Sequence, residues 1–201
     1  MTNNEATKKL LEIAGKNKTT AEQVKALIEA GADVNATDSW FEPALELALG
    51  VRSGNEEVIK ALLDAGADAN YDGHDYQTVL MQAIMWHNSP EVIKLLINAG
   101  ADVNITSALD KPSLVYAVEY DEPQIMKILI DAGADIDYQD EDGMTALMIA
   151  VEKEKTEAVK VLLKAKCDRI LRNIKGEDAL TIAIVKKNNP AIIEALLNAG
   201  A

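Results

Sequence analysis

One cysteine, two histidines and eight aromatic rings among 201 residues leave little of the material from which most active sites are built. A lone thiol, Cys167, excludes internal disulfides and any multi-cysteine metal site. It stands where small packed residues recur elsewhere in the chain, so a buried, inert thiol is expected. His74, in Asp72-Gly73-His74-Asp75, belongs to turn chemistry open to water, and His87 opens a loop. Neither has the neighbours that a metal or a general base requires. No glycine-rich loop runs into Lys-Ser or Lys-Thr, so no phosphate cradle is written in the chain. Catalytic residues, a metal and a cofactor are therefore not expected.

Long apolar runs and positive charge are also scarce. Apolar residues make up 48% of the chain, yet no run approaches the ~20 residues of a membrane-spanning helix. The start, Met1-Thr2-Asn3-Asn4-Glu5, lacks the basic and apolar segments of a secretory signal, so a cytoplasmic location is expected unless a leader has been removed. Twenty bases face 33 acids, a formal charge of −13. Nucleic acid and anionic membrane are disfavoured partners, because binding them needs basic side chains against phosphates. The deficit of bases is local. Residues 37–71 carry 7 acids and 2 bases, 72–105 carry 4 and 1, and 106–138 carry 7 and 2, so 37–138 holds the whole excess.

Against these absences stands a repeat. Ala-Gly-Ala-Asp-Val-Asn, or a close variant, places its glycine at Gly31, Gly66, Gly100, Gly133 and Gly200, with Lys166 in the glycine position of the fifth copy. The intervals are 35, 34, 33, 33 and 34 residues, which divides the chain into units of about 1–36, 37–71, 72–105, 106–138, 139–171 and 172–201. A unit of this size buries too little apolar surface to fold alone, so the core must be the stack of units, and 1–201 is expected to form one elongated domain.

The fifth unit shows the local logic. Asp140-Glu141-Asp142-Gly143 is a turn, and Thr145 caps a short helix. Its apolar residues, Leu147 to Val151, are too continuous for a surface stripe, so that helix should lie between neighbours. A second helix follows Glu154-Lys155-Thr156, with Ala158, Val159, Val161, Leu162 and Leu163 at helical spacing. Elsewhere the second helix runs into glycine, the residue suited to the left-handed conformation that ends a helix. Lys166 should make a slightly strained end.

These residues resemble the ankyrin repeat over nearly the whole chain. Openings read Pro43-Ala44-Leu45, Thr78-Val79-Leu80, Pro112-Ser113-Leu114, Thr145-Ala146-Leu147 and Asp178-Ala179-Leu180. The second helices carry Leu62-Leu63, Leu95-Leu96, Ile128-Leu129, Leu162-Leu163 and Leu196-Leu197 before the turn phrase. The family's histidine after the opening leucine is replaced by Glu46, Met81, Val115, Met148 and Thr181, which removes a local hydrogen bond. The loop wording Asn-Ser-Pro-Glu-Val-Ile and Asn-Asn-Pro-Ala-Ile-Ile is similar to bacterial members. The resemblance implies an all-α solenoid of helix-turn-helix units with β-turn or hairpin tips and no substantial sheet. It also implies a non-enzymatic scaffold that binds a protein or peptide through the turn tips and the concave face of the first helices.

Carried onto this sequence, the variable positions of units two to four and the start of unit five give the expected partner surface. It comprises Trp40, Phe41 and Glu42, then His74, Asp75, Tyr76, Gln77, Met85 and Trp86, then Leu109, Lys111, Glu119 and Tyr120, and Met144. All eight aromatics lie between Trp40 and Tyr138. Phe41 and Tyr76 stand in the place of the turn glycine. Tyr71, Tyr116 and Tyr138 are expected to pack locally, and the other five to face a partner. Rings in an acidic surround point to a basic protein or peptide. The rival expectation is a regulator, or an immunity-type inhibitor, that occludes the active site of a partner enzyme. A monomer is expected, with the apolar C-terminal helix (Ile192, Ile193, Ala195, Leu196, Leu197) as the alternative route to self-association.

Overall fold

The computed structural model of the protein describes residues 1–51, 55–73, 76–186 and 189–200. Its Cα packing separates two compact units, Met1–Asp102 and Val103–Ala201. Among the described residues the first holds α1 (Asn3–Ala14), α2 (Ala21–Glu29), α3 (Ala44–Leu49), α4 (Glu56–Asp64), α5 (Val79–Met85) and α6 (Pro90–Asn98). The second holds α7 (Ser113–Glu119), α8 (Pro123–Asp131), α9 (Ala146–Glu152), α10 (Thr156–Lys164), α11 (Ala179–Val185) and α12 (Pro190–Ala199).

Helices pair in sequence as hairpins, three in each unit, and hairpins stack like on like. In the first unit α1 packs on α3 and α3 on α5, while α2 packs on α4 and α4 on α6; in the second, α7, α9 and α11 form one row and α8, α10 and α12 the other. The first helices after α1 have only six or seven residues, too few to persist in water by themselves. Burial on all sides holds them. Val79 to Ile84 in α5 and Ala146 to Val151 in α9 are buried without interruption. The second helices bury a stripe instead, such as Val58, Ile59, Ala61 and Leu62 in α4. Starts are fixed by side chains that satisfy orphan N–H groups. Thr78, Ser89 and Thr145 accept from the N–H three residues on, as does Asp178, and Thr2 and Thr20 close full capping boxes with Glu5 and Gln23. The opening helix therefore starts at Asn3, directly after its Thr2 cap.

The constant phrase has a structural reason. In the first unit Asn35 donates to the Gly66 carbonyl (3.0 Å) and accepts from the Asp68 N–H (2.8 Å), and Asn70 makes the same two bonds to Gly100 (2.9 Å) and Asp102 (2.7 Å). In the second unit Asn104 bonds Gly133 (3.1 Å) and Asp135 (2.8 Å), and Asp137 accepts from the Asp168 N–H at 2.7 Å. Within each unit, the side chain that ends one copy of the phrase thus ties it to the next copy at these four places. Gly66, Gly100 and Gly133 adopt φ of 87°, 96° and 90° just past their helices, and Lys166 is forced to +63° at the matching place. That conformation costs a non-glycine residue roughly 1 kcal/mol.

Candidate functional site

Turn tips join each hairpin to the next, and one backbone plan serves them all. In the first unit Thr37 bridges Pro43, the Asp38 N–H donates to the Glu42 carbonyl, and Asp38 Oδ1 accepts from the N–H groups of Trp40 (2.8 Å) and Glu42 (3.1 Å). In the second unit Asp140 and Asn173 organise their tips in the same way. Each plan requires one residue with positive φ. Glycine fills it at Gly143 (72°) and Gly176 (77°), whereas Phe41 (64°), Tyr76 (53°) and Asp110 (54°) fill it elsewhere.

Those substitutions put large rings in water. Trp40 and Phe41 are both 70% exposed and Tyr76 is 66% exposed. Tyr71 lies down on the tip before it and donates its hydroxyl to the Phe41 carbonyl, and Tyr138 donates to the Asp110 carboxylate in the second unit. Tyr116 is buried, with its hydroxyl on Ser107 Oγ at 3.0 Å. The bond to Asp110, followed by burial and the Asp110 charge, pushes the Tyr138 phenol up to about 12.

A second set of groups follows the first helices. Met85 is half-buried and Trp86 exposed at the end of α5. Both line a hollow of about 880 Å³ floored by Leu49, Ile59 and Val92. Trp40, Phe41 and Tyr76, at the tips, do not line it. Val51, which also lines the hollow, is buried. His74 and Asp75 lie outside the described residues.

In the second unit the candidates behave differently. Leu109 is 65% exposed and Tyr120 37% exposed. Lys111 and Glu119 are ion-paired with each other (2.8 Å), and Lys153 of the next hairpin adds a contact to Glu119 at 3.2 Å. Burial pushes the Glu119 carboxyl up, but the hydrogen bonds and charges of the two lysines prevail and hold it below 4.5. Met144 is half-buried, and its sulfur accepts a contact from Asn173. Glu42 and Gln77 are half-buried at their tips.

Two further features of the second unit lie beside Met144 and at the ends of its later first helices. Glu152 pairs with Lys186 at 2.7 Å, one hairpin on, repeating the Glu119–Lys153 bridge. The signal was in the sequence as a Glu and a Lys 34 residues apart, one more than the local period. A shallow hollow of about 250 Å³ is lined by Met144, Ile174, Val185 and Lys186, with Ile174 and Val185 largely exposed. Cys167 is buried, which pushes its thiol up to about 11. No group of acidic, histidine or cysteine side chains among the described residues could hold a metal ion, and no described helix is long and apolar enough to cross a membrane.

Stacked helical hairpins with protruding tips define a class of repeat protein. The family model for ankyrin repeats, in three copies, matches residues 10–107 and again 114–201, and the chain belongs to the ankyrin repeat family. The ankyrin repeat domain of Bcl-3, a member of the IkappaB protein family, is similar at 27% identity with a TM-score of 0.79, over 88% of this chain and 77% of that one. An ankyrin repeat domain from Acinetobacter baumannii AYE shares the fold with a TM-score of 0.83 at 24% identity, over 96% of this chain and 98% of that one. Comparison with curated proteins gives no match. Ankyrin repeat domains generally serve as protein–protein interaction modules.

Proposed function

We propose that this protein is a non-enzymatic interaction module that holds a basic protein or peptide against its turn tips and the exposed ends of its first helices. The observation that carries the proposal is the exposure of Trp40 and Phe41 at 70% each in an acidic stretch of chain. Aromatic area is buried at low entropic cost, and aromatic anchors supply most of the binding energy at protein interfaces. The anchors we assign are Trp40, Phe41, Tyr76, Met85 and Trp86 in the first unit and Leu109 and Tyr120 in the second. Glu42 supplies charge. Lys111 and Glu119 neutralise each other and serve the fold before they serve a partner.

Affinity capture from the source cell with wild type, Trp40→Ala and Trp86→Ala tests this reading. A basic protein retained by wild type and reduced in both variants supports it. Equal retention by all three would remove the site assignment. A retained enzyme whose turnover falls at stoichiometric ratio would assign the role of an active-site inhibitor instead.

A further inference from the structure

The tips of the first unit carry rings and carboxylates in one place. Phe41 holds its ring outward on a left-handed backbone that glycine adopts at Gly143 and Gly176. Its carbonyl receives the Tyr71 hydroxyl, so the Tyr71 ring and the Phe41 backbone belong to one small surface, with Trp40 the adjacent residue along the tip. Carboxylates surround that hydroxyl. Burial first, and then the charges of Glu46, Asp72, Asp38 and Glu42, hold the Tyr71 phenol above 10.0. Among the described residues no lysine or arginine pairs with Asp38, Glu42 or Asp72. Lys60 and Lys94 are engaged on the second helices α4 and α6, with Asp64 and Glu91.

A ligand for this surface must bring positive charge and a flat face together. Ammonium groups satisfy the charge but keep a tight hydration shell, whereas a guanidinium is planar, weakly hydrated and stacks on aromatic faces while its edge bonds carboxylates. We infer that the Trp40–Phe41 tip, with Tyr76 of the next tip, is a docking site for an arginine side chain of the partner, flanked by the carboxylates of Glu42 and Asp72. The inference rests on the interaction-module reading and narrows it to one residue type. It also gives the strained aromatic positions a reason. A glycine there would relax the backbone and take away the stacking face.

The experiment uses the full chain and two fluorescent peptides of equal length and charge, one alternating Arg-Gly and one Lys-Gly, titrated by anisotropy at physiological ionic strength. Wild type is expected to bind the arginine peptide about fivefold more tightly than the lysine peptide. Trp40→Ala and Phe41→Gly should each bring that ratio close to one, with circular dichroism melts verifying that both variants are folded. Glu42→Gln and Asp72→Asn should weaken both peptides and leave the ratio in place. Equal affinity of wild type for the two peptides overturns the inference, as does a preference that survives the Trp40→Ala/Phe41→Gly double variant. Either result leaves the broader reading standing, because that reading is decided separately by the captured partner and its sensitivity to Trp86→Ala.

Discussion

At the register that ends the first helices, the first unit places Met85 and Trp86, with Val51 one hairpin earlier, and the second unit places Glu119 and Tyr120, Glu152 and Lys153, and Val185 and Lys186. The same backbone positions are thus spent in two ways. In the second unit, glutamate of one hairpin reaches lysine of the next, at 3.2 Å for Lys153 and 2.7 Å for Lys186. Charges that satisfy each other across a stack leave little for an outside molecule. In the first unit no such bridge occupies the register among the described residues, and apolar and aromatic groups line an open hollow instead. The tips differ in part, with aromatic Phe41 and Tyr76 in the first unit against Asp110, Gly143 and Gly176 in the second. At this register the second unit bridges hairpins with charge, whereas the first presents Met85 and Trp86 to a hollow.

The sharpest break of this comparison lies at Gly143. Its φ is +72°, and an added Cβ would stand 3.0 Å from the Asn173 Cα and 3.1 Å from the Ile174 nitrogen, both backbone atoms of the next tip. Gly143→Ala should cost about 2–3 kcal/mol, strain and overpacking together. Gly176, with nothing near its added Cβ, should lose only about 1 kcal/mol on the same change. Urea melts of the two variants decide it. Equal losses would show that the tip-to-tip contact at Gly143 relaxes freely.

Next in size is partner binding. Trp40→Ala and Trp86→Ala should each weaken it by at least ~1 kcal/mol without lowering the melting temperature. Lys153→Ala should do the reverse, lowering stability slightly and leaving affinity within error. Titration calorimetry with the captured partner, alongside thermal melts, separates the two patterns. A loss of affinity in Lys153→Ala equal to that of the tryptophans would erase the distinction between the units.

Much of this architecture is legible in the residues, and the reasons are physical. A 33–35 residue period, the Thr145 cap and the glycine ends each reflect a local backbone demand, and such demands leave fixed letters. The all-α repeat fold follows from them, and the buried state of Tyr116 follows from its place inside a continuous apolar helix. The Asn35, Asn70 and Asn104 ties are harder to foresee, because the letter is constant while its partner sits a full unit away. Pairing of Lys111 with Glu119 was hidden for another reason. Side chains eight residues apart meet only because the tip folds back over the helix it precedes, and that geometry is tertiary. The hollow beside Trp86 was invisible as well, since its floor joins Leu49, Ile59 and Val92 from three different helices.

A smaller and opposite effect is expected at the aromatic tips. Phe41 and Tyr76 hold positive φ with their rings in water, so the ring returns little packing for the strain. Phe41→Gly and Tyr76→Gly should each raise stability by up to about 1 kcal/mol, less the extra freedom that glycine gives the unfolded chain. Chemical denaturation of both variants measures it. A clear loss of stability would mean that these rings pack on their own tips, and the contrast with Gly143 would then be one of fold and not of function.

The smallest test concerns charge. The Glu119 carboxyl lies below its ordinary value of 4.5 because Lys111 and Lys153 hold its anion. A depressed carboxyl contributes stability above its unfolded value, and that stability drains away as pH falls through the folded value. Glu119→Gln should therefore melt below wild type at neutral pH, by about 0.5 kcal/mol, with the two curves converging once the carboxyl is protonated in both states. Glu42 has no lysine or arginine against it among the described residues and stands in the acidic surround of Tyr71. Glu42→Gln should leave stability level or slightly higher at neutral pH. The signs, more than the sizes, carry the argument. An acid recruited by the stack is missed when removed, and an acid kept for a partner is not.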